Sequence, residues 1–162
     1  MEYSFASLGQ QLGDHAPFLV SLSDGSDNEL RIIIAPATVG EAGVRANGDR
    51  SNGILDDIRA KCRPIEPNKT ALFEIYFENY ITYRVTSESY AVGAPEEISF
   101  GGYLAIVEKS KYLDHLEEIA GVFQLDDGTF FPGEWKQYGV YTQNHIIEII
   151  SHCPPVVTKI QQ

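Results

Sequence analysis

The sequence predicts an α+β protein: a single domain on a twisted, mainly antiparallel sheet of about seven strands, with two to three short helices. Three observations lead there. Residues 72–90, LFEIYFENYITYRVTSESY, place apolar side chains on odd numbers, from Phe73, Ile75 and Phe77 to Ile81, Tyr83 and Val85. That period of two marks a strand with one buried face. Clusters of turn formers, DGSDN at 24–28 foremost, separate apolar runs at hairpin spacing. Helical periodicity is confined to short stretches, and the 162 residues suit one domain with a real core.

In chain order, residues 3–12 predict a short helix with Tyr3, Leu8 and Leu12 inward. FLVSL (18–22) and ELRIIIA (29–35) predict a hairpin across 24–28. Three successive isoleucines, 32–34, require burial on both faces, and Pro36 ends the run by removing a donor. Residues 36–53 read as a long irregular loop, a length that is functional or unstructured. A helix is expected at 54–62, ILDDIRAKC, capped by Ser51 or Asn52 and with acids ahead of bases as the helix dipole favours. Its inner face would be Ile54, Leu55, Ile58 and Cys62.

The 72–90 stretch admits two solutions. One is a single long bent strand. The other is a hairpin with a three-residue loop at 78–80, favoured because strands average about 5–6 residues and Glu78-Asn79 is turn-like. That hairpin pairs Phe77 with Ile81, Ile75 with Tyr83 and Phe73 with Val85, so inward meets inward. Its other face pairs Tyr76 with Thr82 and joins Glu74 to Arg84 as an ion pair. Further on, Gly101-Gly102 predicts a tight turn or bulge and YLAIVE (103–108) a strand. Ser110 caps a helix at 111–120 that Gly121 closes. Tyr112, Leu113, Leu116, Ile119 and Ala120 form its apolar stripe, and Asp114, Glu117 and Glu118 share another face. Glu117 and Glu118 fall in its last turn, where negative charge opposes the dipole at a cost of about 0.3–1 kcal/mol each. Residues 125–135 read as a loop, and 136–151 as a hairpin turning near Gln143-Asn144. Residues 154–162 are expected as an extended tail or edge strand, since Pro154-Pro155 bars a central position.

The net charge is −11, and residues 66–127 hold twelve Asp/Glu against four Lys/Arg. The acid therefore belongs to the middle of the chain. It disfavours nucleic acid and anionic membrane as partners and favours a basic protein; solubility is the competing explanation. Two cysteines are too few for a disulfide framework. The N-terminal stretch shows no basic region followed by an apolar run, and no apolar run reaches the roughly 18 residues of a membrane helix. The expectation is a soluble cytoplasmic protein with reduced thiols.

No catalytic signature stands out. G-x-G-x-x-G, G-K-S/T and G-x-S-x-G are absent. His145, His152, Cys153 and Cys62 lack metal-ligand spacing. No catalytic residue, metal or cofactor is assigned. Glu88, Glu96, Glu97, Glu108 and Glu134 are candidates for an acid–base pair, although 23 acids produce chance neighbours. Tyr76, Tyr80, Tyr90, Tyr138 and Tyr141 are less clearly inward than the other aromatics. Tyrosines exposed among acids compose a surface that grips a basic protein, with rings supplying area and carboxylates steering. The competing role is a half-buried ring with a wet hydroxyl.

YRVTSESY (83–90), FGGYLAIVEKSKYLDHL (100–116) and YGVYTQNHIIEIIS with its following proline pair (138–155) together resemble a group of small uncharacterised bacterial cytoplasmic proteins. The resemblance covers about residues 72–158, with Ser87 where the group more often has Asn. In size and charge the chain is also similar to immunity proteins of bacterial toxin systems. That similarity implies a protein that neutralises a basic toxin domain. The expected partner-binding residues are Glu88, Tyr90, Glu96, Glu97, Asp114, Glu117 and Glu118. Two alternatives stand beside this reading. One is a small enzyme or small-molecule binder using a pocket near the 36–53 loop and Glu88. The other is a structural subunit pairing through an edge strand.

Overall fold

The computed structural model describes residues 2–41, 58 and 61–160. Its elements are β1 (Glu2–Tyr3), α1 (Phe5–Gln11), β2 (Phe18–Asp24), β3 (Leu30–Ala35), β4 (Ala37–Val39), β5 (Ile65–Pro67), β6 (Leu72–Phe77), β7 (Tyr80–Ser87), β8 (Ile98–Gly101), β9 (Leu104–Lys109), α2 (Lys111–Asp114), α3 (Leu116–Ile119), β10 (Phe123–Gln124), β11 (Phe130–Phe131), β12 (Lys136–Tyr141), β13 (His145–Ser151) and β14 (Val156–Ile160). The expected single sheet is instead two five-stranded antiparallel sheets, in the orders β1-β14-β6-β3-β2 and β7-β13-β12-β9-β8. Two small pairs, β4-β5 and β10-β11, stand apart.

The division into two sheets arises in the 72–90 stretch. β6 and β7 do not pair with each other: β6 lies between β3 and β14, and β7 lies against β13. The chain bends at Glu78-Asn79 and passes from one sheet to the other, a corner of the kind packed sheets use. The bent-strand solution is thus the nearer one, and the expected three-residue hairpin is not formed. The expected Glu74–Arg84 pair falls with it. Glu74 meets Arg31 at 3.3 Å, and Arg84 meets Glu148. The odd-number alternation holds through Phe73, Ile75 and Phe77, all buried. Past the bend the pairing of β7 with β13 shifts between Ile150 and Ser151, Ile81 joins a different cluster, and Val85 is exposed.

Inward side chains of both sheets share one core. Leu30, Ile32, Phe77 and Val157 of the first meet Leu104, Tyr138, Ile147 and Ile149 of the second. The Phe77 and Tyr138 rings pack edge to face with centroids 5.4 Å apart, a favoured aromatic geometry. α1 adds Phe5, Leu8 and Leu12 to the same core. Ser4 caps it by accepting the Ser7 N–H at 3.1 Å. A second cluster lies on the outer face of the second sheet, where Ile150 is covered by Tyr112, Leu116 and Val122.

The β2–β3 and β12–β13 hairpins form where expected. β8 and β9 also pair, and Gly101 in their turn has φ 117°, a region that favours glycine. A Cβ there would stand 2.3 Å from the Leu104 carbonyl oxygen. The helix expected at 111–120 is interrupted at His115 (φ −93°, ψ 1°), which ends α2 and begins α3. Glu117 and Glu118 consequently sit in the first turn of α3, the favourable end of the dipole. The expected C-terminal tail is an inner strand, β14, flanked by β1 and β6 with Val157 buried. The proline pair precedes its first ladder residue and removes no ladder donor. Of the 36–53 loop, residues 37–39 are β4, and 42–53 lie outside the described residues. Of the helix expected at 54–62 only the end is described: the Cys62 N–H donates to the Ile58 carbonyl at 2.9 Å. Both side chains are exposed rather than inward. Among the described residues, no helix is long and apolar enough to cross a membrane.

Ile149→Ala empties a fully buried position between the sheets and should cost about 2–5 kcal/mol. Val92→Ala, in the exposed loop before β8, should stay within about 0.5 kcal/mol. Urea midpoints at constant slope measure both.

Candidate functional site

The outer face of the second sheet carries an acid where apolar residues surround it. β13 reads HIIEIIS, and its even positions face outward, so Glu148 lies between Ile146 and Ile150 and is only 7% exposed. A buried carboxylate needs partners, and neighbouring strands supply them. Arg84, directly opposite on β7, grips it with two bonds: Nε to Oε2 at 2.5 Å and Nη2 to Oε1 at 2.8 Å. The fork matches the carboxylate's planar geometry, and the bond to Glu148 is the main reason the guanidinium's pKa is raised. From β12, Gln137 Nε2 donates to Glu148 Oε1 at 3.1 Å, while Gln137 Oε1 accepts the Ser110 hydroxyl at 2.5 Å. Ser110 also caps α2 by accepting the Leu113 N–H. Arg84 lies 4.3 Å over the Tyr112 ring, and the Tyr112 hydroxyl meets that of Thr82 at 3.0 Å. This chain of bonds joins α2 to the sheet.

Beside it opens a cleft of about 810 Å³, lined in part by Arg84, Glu148, Tyr141, Glu97 and the segment Tyr90–Pro95. Gly139, paired with Glu148 across the ladder, makes room for Tyr141: a Cβ on Gly139 would stand 2.7 Å from the phenol's Cζ and Oη. The Tyr141 ring and Glu97 line the same cleft. Burial first, then the charges of Glu97 and Glu148, push Tyr141 up to about 12. Burial, and then the charge of Glu148, raise Glu97 above the usual carboxylate value. The cleft thus gathers two carboxylates, a phenol that stays protonated and two cations, Arg84 committed to Glu148 and Lys111 paired with Glu96.

A second groove of about 740 Å³ lies on the other side of α2 and includes Leu113, Asp114, Glu117, Phe130, Trp135 and Gln137 in its lining. The Phe130 and Trp135 rings meet edge to face at 4.6 Å.

The seven residues expected to bind a partner divide between these places. Tyr90 and Glu97 line the first cleft. Glu96 pairs with Lys111 at 3.4 Å, and Lys111 lines that cleft too. Asp114 and Glu117 line the second groove. Glu88 opens a 3₁₀ turn (Glu88–Tyr90), its N–H donating to the Asn144 carbonyl at 3.0 Å. Glu118 is exposed and meets His115 at 3.0 Å. Of the five doubtful tyrosines, only Tyr90, 82% exposed, is an open surface ring. Tyr138 is core, Tyr80 donates to Asp24, Tyr76 lies under Arg31 and Tyr141 is described above. Of the 36–53 loop, residues 36–41 line neither of these two cavities, and 42–53 lie outside the described residues. Among the described residues, no three His, Cys, Asp or Glu side chains gather to hold a metal ion. Arg84, Gln137 and Glu148 line these cavities without a site role in the sequence reading, which reaches Tyr141 only as one of five doubtful tyrosines. The one available signal is a lone acid inside an isoleucine run.

Arg84→Ala strands a buried carboxylate, whereas Glu148→Gln leaves a guanidinium that is already half in water. The first should cost about 1–3 kcal/mol, below the fully buried case because Arg84 is partly solvated, and the second distinctly less. Equal costs in urea melts would contradict the asymmetry. Tyr141 gives a second expectation. The unfolded phenol ionises near 10.0 and the folded one near 12, so the folded state holds its proton longer. That contribution to stability is whole below pH 10 and is lost as pH rises toward 12. Tyr141→Phe should flatten the alkaline fall in stability and remove one late-titrating phenol from the tyrosinate absorbance curve. Tyr80, also raised to about 12, should remain.

Compared with protein-family models, curated proteins and solved structures, the chain matches none of them.

Proposed function

We propose that the chain is a one-domain acidic protein-binding module that holds a basic partner, in the manner of an immunity protein neutralising a toxin domain. The observation that carries this reading is the segment 88–100. It contains Glu88, Glu96 and Glu97 and no Lys or Arg. Within it Tyr90, Val92, Ile98 and Phe100 are 82%, 91%, 47% and 59% exposed. Large apolar side chains held in water beside like-signed charge are costly to leave uncovered and suit association. The rings and aliphatic groups supply contact area, and the carboxylates speed encounter with a cation. A second reading, a small-molecule site in the first cleft, is favoured by Glu97, Tyr141 and Glu148 facing one cavity.

The basic proteins encoded beside this chain's gene are the natural probes, tested for binding at two salt concentrations. Glu88→Lys with Glu96→Lys should slow association about tenfold and leave dissociation nearly unchanged. Tyr90→Ala should speed dissociation at a cost of about 2 kcal/mol. Binding that ignores salt and these substitutions would contradict the proposal.

A further inference from the structure

The second groove is built differently from the first cleft. Its centre is aromatic and aliphatic, with Trp135, Phe130 and Leu113 each half-buried. Its charged lining consists of Glu108, Asp114 and Glu117 against Lys136 alone. Glu117 is held in place, its Oε1 accepting the Gln124 N–H at 3.1 Å. Phe130 and Gln124, paired across β10–β11, face the groove, while Phe123 and Phe131 stack on the ribbon's other face with centroids 5.0 Å apart. An apolar floor with an excess of carboxylates around it is complementary to a segment that carries apolar anchors between cations. Such a segment buries its aliphatic side chains on Trp135 and Phe130 and sets its ammonium or guanidinium groups against Asp114, Glu117 and Glu108. The Trp135 face also favours cations directly.

We infer that this groove is a docking site, separate from the first cleft, for a basic amphipathic segment of a partner protein. The inference rests on the proposed function only for the sign of the partner's charge. Its location is fixed by the groove alone. If one partner fills both places, the two contacts reinforce each other through effective concentration.

Trp135 is the chain's only tryptophan, so its emission reports on this groove and not on the first cleft. The full chain is titrated with three blocked peptides: one of alternating Leu-Leu and Lys-Lys pairs, the same with Glu in place of Lys, and oligolysine. The Lys/Leu peptide should shift Trp135 emission to the blue and saturate, oligolysine should bind at least tenfold more weakly, and the Glu/Leu peptide should not bind. Asp114→Lys and Glu117→Lys should each weaken the Lys/Leu peptide about tenfold. Glu117→Gln, which can keep the bond to Gln124, should weaken it less but measurably. Glu96→Lys should leave it within twofold. The inference is overturned by an absent shift, by an equal response to the Glu/Leu peptide, or by a loss on Glu96→Lys that the groove variants do not share. A blue shift that grows with protein concentration alone would assign the groove to a second copy of the chain and overturn it too. The charge reversals at Glu88 and Glu96 probe the 88–100 segment and neither residue lines this groove, so their failure would not alter the peptide binding expected here.

Discussion

Strand β13 is covered on both faces, and the organisation of the molecule follows from that constraint. Its odd residues, Ile147 and Ile149, fill the space between the sheets, and Ile150 on the even side anchors the outer cluster. Glu148 shares that even side, so a carboxylate is obliged to lie at the edge of an apolar cluster. The cost of desolvating it is offset only if its partners are held in register. Arg84 meets that need because β7 runs antiparallel beside β13 with those two residues opposite. Gln137 meets it from β12, and Ser110 ties Gln137 to the start of α2. α2 therefore stands where it does for electrostatic as well as apolar reasons, and its position separates the first cleft from the second groove.

The two cavities share this framework but offer different chemistry. In the first, Arg84 is already committed to Glu148 and Lys111 to Glu96, and beside them lie Glu97, a protonated Tyr141 and the exposed segment that starts at Tyr90. In the second, an aromatic centre meets three carboxylates and one lysine. The first balances Glu97 and Glu148 against Arg84 and Lys111, whereas the second sets Glu108, Asp114 and Glu117 against Lys136, so the excess negative charge of the two cavities lies in the second. Sheet one contributes the core and carries none of the lining residues of either cavity.

Much of the local structure is legible in the sequence because its causes are local. DGSDN sets the β2–β3 turn, Gly101 the β8–β9 turn and Ser110 the cap of α2, each by short-range chemistry. Partner choice is what the sequence does not show. A period of two says which residues of 72–90 face inward but not which strand lies alongside. The expected pairing of β6 with β7 therefore gives way to pairings with strands distant in the sequence, and the Glu74–Arg84 ion pair fails for the same reason. The helix at 111–120 has a continuous apolar stripe, and nothing in the stripe marks the break at His115. The site is half legible: charge and composition pick out Tyr90, Glu97, Asp114 and Glu117, while Arg84 and Glu148, 64 residues apart, are joined only by the fold.

The central claim is that the outer face of the second sheet, and not the first sheet, meets a basic partner. Backbone amide hydrogen exchange, compared with and without a bound basic protein, tests it most directly. The account predicts slowed exchange in the segment from Glu88 to Phe100 and around α2, with β2 and β3 unchanged. Protection centred on β2 and β3, leaving 88–100 as it was, would contradict it.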